Sequence, residues 1–371
     1  MYSVHPKINM RKLFLISIVL TVFYSCEKDE SPIIGCMDVL ATNYNPDAVI
    51  ATCNCEYFLA TPYIIETPFG FPEMIVPDNN PTTIEGVSLG DKLFHDKILS
   101  GDESQSCSSC HKKEFGFSDE NRFSEGIDGL LGDRSASTII NAGWNTKNFW
   151  DGRTITLEDQ AFGPVVNPIE MHDTWPNVEN KLNANSAYKQ LFKDAFNIDY
   201  IDSTHVSMAI AQFERTLISV NSKFDNYLNG EVQLTPSELS GYAIFHSEKG
   251  DCFHCHGTQL FMDNDFHNNG LDPEPFLDLG LATISGNPSD NGKFKTPTLR
   301  NIEASAPYMH DGRFVTLEEV VEHYNSGGVY SSTIDPNMKK VGIGLQLTEQ
   351  EKADLIAFLK SLTDTEFLEG K

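Results

Sequence analysis

Two Cys-x-x-Cys-His pentapeptides, Cys107-Ser-Ser-Cys110-His111 and Cys252-Phe-His-Cys255-His256, constrain this chain more than any other feature. Cysteines three apart on a helical turn face the same way. Both thiols can then add to the two vinyl groups of one porphyrin while the adjacent His reaches its iron. The spacing is the attachment pattern of c-type haem. With 8 Cys and 11 His in the chain, two such motifs would arise by accident in roughly 10⁻⁵ of sequences of this composition. Zinc is the rival chemistry, but zinc draws its four ligands from paired knuckles, and here each Cys pair has its own His and lies far from the other pair. The chain is therefore read as holding two haem c groups. Cys107, Cys110, Cys252 and Cys255 attach them, and His111 and His256 ligate the two irons.

Export is the natural setting for covalent haem. The first 25 residues contain Lys7, Arg11 and Lys12 and no acid, and then an apolar run over 13–24 that is too short to span a bilayer. Residues 1–25 read as a secretory signal, with Met10 an alternative start. Cys26 closes the run and resembles a lipoprotein cleavage site, although Phe23-Tyr24-Ser25 departs from the small-residue pattern. A periplasmic protein, tethered to the membrane by a lipid on Cys26 through residues 26–34, of which 27–32 are polar, is the expectation. After cleavage, 24 Lys and Arg stand against 53 Asp and Glu, a formal charge of −29. Such a surface excludes nucleic acid as a partner and favours a basic redox protein.

Three further cysteines, Cys36, Cys53 and Cys55, lie in one short stretch. Gly35-Cys36-Met37-Asp38, Asn43-Tyr44-Asn45-Pro46 and Cys55-Glu56-Tyr57 resemble a small repeat of secreted bacterial proteins stapled by one disulfide. That resemblance pairs Cys36 with Cys55, and an oxidising compartment permits the bond; Cys36 with Cys53 stays open as the alternative. Residues 35–57 are the module and the proline-rich residues 58–84 a linker wrapping onto the first domain.

The remainder is a duplication. Asp151-Gly152-Arg153 and Thr156-Leu157-Glu158 recur as Asp311-Gly312-Arg313 and Thr316-Leu317-Glu318, and Thr138 and Asn141 recur as Thr298 and Asn301, all at an offset of 160. Gly90-x-x-Leu93-Phe94-His95 and Gly241-x-x-Ile244-Phe245-His246 precede the two haem motifs on segments with helical apolar spacing. Ala209, Ile210, Phe213 and Leu217 form an apolar stripe expected to pack between the copies. A Thr348-x-x-Glu351 capping pattern opens a last helix over 347–362. The fold class is mostly α. It comprises two tandem cytochrome c-like helical domains, residues 85–185 and 236–371, joined by a helical segment 186–235 and preceded by the disulfide module.

Residues 86–363 resemble the bacterial di-haem cytochrome c peroxidase superfamily, which also contains the enzyme maturing the tryptophan tryptophylquinone cofactor of methylamine dehydrogenase. The motifs are Phe149-Trp150-Asp151-Gly152-Arg153, Gln160-Ala161-x-Gly163-Pro164-Val165-x-Asn167-Pro168-x-Glu170-Met171, Phe213-Glu214-Arg215-Thr216, Thr296-Pro297-Thr298-Leu299-Arg300-Asn301 and Pro307-Tyr308-Met309-His310-Asp311-Gly312. The resemblance implies a peroxidatic first haem and an electron-transfer second haem. It makes Glu170 the distal acid–base group, Gln160 its neighbour and Trp150 the residue between the haems. Independently, cleaving a peroxide O–O bond needs a group that moves a proton from one oxygen to the other, a task for a shielded carboxylate. The counterparts of Gln160 and Trp150 in the second copy are Val320 and His310. The resemblance further implies calcium on the carbonyls of Ser305 and Pro307, but Ser135 replaces the expected amide, with Asp133 an alternative ligand. It also implies a homodimer.

Two departures matter. Conventional members place a His ligand to the first iron where this chain has Ile127, which cannot bind iron; Met171 and His172 are the nearby rivals. Their second haem has a Met ligand where this chain has Tyr324, as in the quinone-maturing relative. Phenolate lowers a haem potential and thioether raises it. His310, His323, Met309 and Met338 are the rival ligands. The expected function is reduction of hydrogen peroxide at the first haem, with electrons passed through the second from a small cytochrome or cupredoxin. The alternatives are oxidation of a partner protein or organic substrate, and a non-catalytic electron-transfer lipoprotein.

Overall fold

The computed structural model describes residues 31–370 apart from 40, 57 and 59. The signal peptide and Cys26 lie outside the described residues. The described residues divide into two compact units, one ending at residue 59 and one beginning at residue 60. In the first, β1 (Ile34–Gly35) pairs in parallel with β2 (Ile50–Ala51). Cys36 is bonded to Cys55, while Cys53 is free and exposed.

The larger unit holds twelve helices and one two-stranded ribbon among its described residues. In chain order the helices are α1 (Ile84–His95), α2 (Leu157–Val166), α3 (Trp175–Ala184), α4 (Ser186–Phe196), α5 (Ser203–Glu214) and α6 (Lys223–Leu228). Then come α7 (Pro236–Phe245), α8 (Phe253–His256), α9 (Ala282–Ser285), α10 (Leu317–Ser326), α11 (Glu349–Lys360) and α12 (Thr365–Glu369). The ribbon pairs β3 (Phe266–His267) antiparallel with β4 (Phe294–Lys295).

The duplication is expressed in side-chain and backbone chemistry. Thr156 caps α2 by accepting from the Asp159 amide, and Thr316 caps α10 by accepting from the Glu319 amide. The expected Thr348–Glu351 capping box opens α11. Asn141 and Asn301 adopt positive φ of 57° and 59°, as do Gly152 and Gly312 at 72° and 61°. The glycines preceding the haem motifs are helix-crossing points. A Cβ on Gly90 would stand 2.0 Å from the Ala209 carbonyl oxygen, and one on Gly241 1.9 Å from that of Asp354. Only glycine lets α1 cross α5 and α7 cross α11 so closely.

This crossing assigns the apolar stripe of Ala209, Ile210 and Phe213. These side chains are buried, but α5 closes over α1 within the first haem domain, as α11 closes over α7 in the second. The segment 186–235 thus supplies a helix to the first domain's core. The two domains also exchange backbone hydrogen bonds: Lys295 N–H donates to the Trp150 carbonyl at 2.9 Å and Ser135 N–H to that of His310 at 2.8 Å. The proline-rich segment is a strap rather than a free linker. Phe71 and Met74 are buried with Trp144, Leu260 and Met262, and Trp144 Nε1 donates to the Pro72 carbonyl at 2.8 Å. It therefore touches residues of both copies, not the first domain alone.

Candidate active site in two haem cavities

Each haem motif opens onto a cavity. Cys107, Cys110 and His111 border one of about 70 Å³ together with Gln160, Glu170 and Glu214. Cys252, Cys255 and His256 border one of about 230 Å³ that also touches Trp150, Lys295, His310 and Tyr324. The larger cavity extends to Ser118, Ser137 and Thr138. Thr138 Oγ1 donates to the Gly116 carbonyl at 2.6 Å, beside the Phe117 carbonyl that faces His111. Trp150 therefore lies along a space reaching from the second motif to the surroundings of the first.

The donor set fits haem c. His111 Nδ1 lies 3.0 Å from the Phe117 carbonyl and His256 Nδ1 2.7 Å from that of Phe261. Phe117 and Phe261 both adopt positive φ, 53° and 51°, which turns those carbonyls toward the rings. With Nδ1–H donated, Nε2 of each His is left for iron. Burial lowers both histidine pKa values and pushes the Cys107 and Cys252 thiols up to about 12. Thiols held protonated suit thioether formation and oppose a zinc thiolate site.

At the first cavity, the end of α2 runs into a turn that fixes Glu170. Glu170 N–H donates to the Asn167 carbonyl at 3.0 Å, Met171 N–H to that of Pro164 at 3.2 Å and Asp173 N–H to that of Val165 at 2.9 Å. Asn167 Nδ2 donates to the Glu170 carboxylate at 2.7 Å. Burial raises the Glu170 pKa above its ordinary 4.5, Asp133 adds to the rise, and the Asn167 bond and Arg153 oppose it. Gln160, ten residues earlier on α2, borders the same cavity.

The loop carrying Ile127 packs on this turn by backbone. Ile127 N–H donates to the Glu170 carbonyl at 3.0 Å, and a Cβ on neighbouring Gly126 would stand 2.4 Å from the Ile169 oxygen. Gly126, not Ile127, borders the cavity. Of the rival ligands, His172 is turned to the surface, paired with Asp128 through Nδ1, whereas Met171, packed in the apolar cluster with Val165 and Leu182, also borders the cavity.

Glu214, inside the Phe213-Glu214-Arg215-Thr216 motif, is 5% exposed and borders the first cavity, its carboxylate without a hydrogen bond among the described residues. Burial pushes its pKa up to about 8, with Glu158 adding to the rise and Arg215 opposing it. The available sequence signal was an acid inside the apolar stripe of Ile210, Phe213 and Leu217.

At the second cavity, Asn269 Nδ2 lies 3.2 Å from Tyr324 Oη and 3.6 Å from Met309 Sδ. Met338 and His310 border the same space. His310 stacks on Phe294 with ring centroids 3.6 Å apart, and burial lowers its pKa to about 4. His323 is directed elsewhere, its Nε2 3.0 Å from the Asn269 carbonyl. Burial pushes the Tyr324 phenol up to about 12, so ligation as phenolate would have to displace its proton. Trp150 Nε1 donates to the Ser135 carbonyl at 2.9 Å, which fixes the indole plane. Ser305 and Pro307 border this cavity too, whereas Asp133 acts electrostatically on Glu170, at the other site.

Known proteins resemble this chain in sequence and fold. Residues 84–233 match the family model described as di-haem cytochrome c peroxidase, and residues 240–363 match that of cytochrome c. The chain is 34% identical over 297 residues to methylamine utilization protein MauG of Methylophilus methylotrophus, spanning 79% of this chain and 87% of that one. It is 35% identical over 289 residues to cytochrome c551 peroxidase of Nitrosomonas europaea, spanning 76% and 81%. A crystal structure of a MauG-like protein associated with microbial copper homeostasis superposes with a TM-score of 0.78 at 37% identity, over 82% of this chain and 97% of that one. With the duplicated haem motifs, the crossing helices and these likenesses over three quarters or more of the chain together, the chain belongs to the di-haem cytochrome c peroxidase family, and it is a haem c oxidoreductase.

Proposed function

We propose that this protein reduces hydrogen peroxide at the first haem, with Glu170 as the proton carrier and electrons arriving through the second haem from a small redox protein. The observation that carries the reading is the convergence of Glu170 and Gln160 on the cavity of Cys107, Cys110 and His111, with no imidazole at Ile127. When bound, the haem supplies an iron that accepts a peroxide oxygen and exchanges electrons with it. The chain supplies the rest. Glu170 takes the proton from the oxygen nearest the iron and returns it to the departing oxygen, a transfer suited to a buried carboxyl whose pKa lies above the ordinary range. Asn167 holds the carboxylate in place, Gln160 orients the substrate by hydrogen bonding, and Trp150 bridges the two sites.

A second reading, oxidation of a partner protein or organic substrate, is favoured by Tyr324. A hydroxyl faces the second cavity where a thioether would serve a conventional electron entry, and relatives include proteins named MauG. Tyr324 as the second iron's distal ligand, calcium on Ser305 and Pro307, export, a lipid on Cys26 and a homodimer are parts of the proposal that rest on the sequence.

Reduction of one peroxide to two waters takes two electrons and two protons. With a reduced one-electron cytochrome or cupredoxin as donor, about two donor molecules should therefore be oxidised per peroxide consumed. Peroxide loss without donor oxidation, while an added organic substrate is oxidised, would transfer the assignment to the second reading.

A further inference from the structure

Lys295 is a buried cation without a counter-ion. It is 9% exposed and sits on β4, tied by its backbone N–H to the carbonyl of Trp150. Its ammonium makes no hydrogen bond or ion pair with any described residue. Burial alone lowers its pKa, to about 8, with no acid near enough to oppose the fall. The other buried charges around this cavity are matched. His267 is held between Asp263 at 2.8 Å and Asp335 at 2.5 Å, and Asp251 pairs with Lys339 at 3.2 Å and His254 at 3.1 Å. A buried ammonium is costly unless it meets an anion. Lys295 borders the cavity of Cys252, Cys255 and His256, where the group to be bound brings two carboxylates of its own. In the first copy the position 160 residues earlier is Ser135, so the cation is built at one site only.

We propose that Lys295 is the binding site for a propionate carboxylate of the second haem, and that this ion pair sets the second haem's reduction potential apart from the first. A fixed positive charge beside a haem favours the reduced state, which has one positive charge fewer. The inference rests on a haem occupying this cavity and not on the roles of Glu170 or Tyr324.

The test uses the holoprotein with both haems counted, comparing wild type with Lys295→Met and Lys295→Arg by redox titration followed by electron paramagnetic resonance, which separates the two irons. Lys295→Met should shift the second haem's reduction equilibrium toward the oxidised form by about tenfold or more, 59 mV for a one-electron couple. The first haem should stay within twofold, and Lys295→Arg should restore most of the difference. If Lys295→Met does not accumulate with two haems, Lys295→Gln makes the same comparison. A second-haem shift below twofold, an equal shift of both haems, or no rescue by arginine would overturn the proposal. An error in the Tyr324 assignment would move the Tyr324 variants and leave these outcomes unchanged.

Discussion

Replacing Glu170 with glutamine is expected to slow the reaction of the ferric protein with hydrogen peroxide by about 10²-fold or more. Glutamine keeps the length and an oxygen that can accept from Asn167 Nδ2, which now lies 2.7 Å from the carboxylate. What it loses is the capacity to take a proton and hand it on. The pH dependence follows from the raised pKa of Glu170. The carboxylate is the reactive form, so in the wild type the rate should fall as acid protonates it. That fall should begin at a higher pH than an ordinary carboxyl would give. In Glu170→Gln this limb should vanish, leaving a slow rate that varies little with acid. Stopped-flow recording of the Soret band measures both. A variant with the wild-type rate and limb would remove Glu170 from the proton path.

The parts of this site visible in the sequence are those fixed by short covalent spacing. Cys-x-x-Cys-His names its attachment atoms and its ligand together, and the 160-residue offset puts Thr156 and Thr316 at equivalent caps. Convergence over long separations was not visible. Glu214 and Lys295 stand inside or next to motifs that were recognised, yet their importance comes from burial against a cavity that only the crossing of α5 on α1 and the pairing of β4 with β3 create. The same holds for the strap. Prolines announced an extended segment, but that Phe71 and Met74 would fill a gap between Trp144 and Met262 depends on side chains from both copies. The apolar stripe of α5 was read correctly as buried. Its partner, α1, was set by the missing side chain of Gly90, which spacing alone does not reveal.

Tyr324→Met should raise the potential of the second haem by on the order of 10³-fold in its reduction equilibrium, about 180 mV at 59 mV per decade. An anionic oxygen donor stabilises ferric iron, while a neutral thioether favours ferrous iron. The Asn269 amide, 3.2 Å from Tyr324 Oη, is placed to stabilise a phenolate by donating to it. Once the phenol is ligated, its proton must leave against a pKa that burial has raised to about 12, so assembly of the ligated state should release a proton. Spectroelectrochemical titration resolves the shift. A change below tenfold would identify Tyr324 as a buried hydroxyl held by Asn269, and would pass the ligand role to Met309 or Met338, which border the same cavity.

Peroxide reduction without prior activation requires a first haem that is open to peroxide at rest. Ile127 offers no ligand and His172 is turned away to Asp128, which leaves Met171, at the cavity edge, as the side chain that could close the iron. The direct test is to mix the fully ferric protein with one equivalent of hydrogen peroxide, without any reductant, and follow the Soret region by stopped flow. A rapid spectral change that consumes the peroxide is the predicted result. A spectrum that stays unchanged until one haem has been reduced would mean that a side chain of this protein closes the first iron at rest, contradicting an open peroxidatic haem.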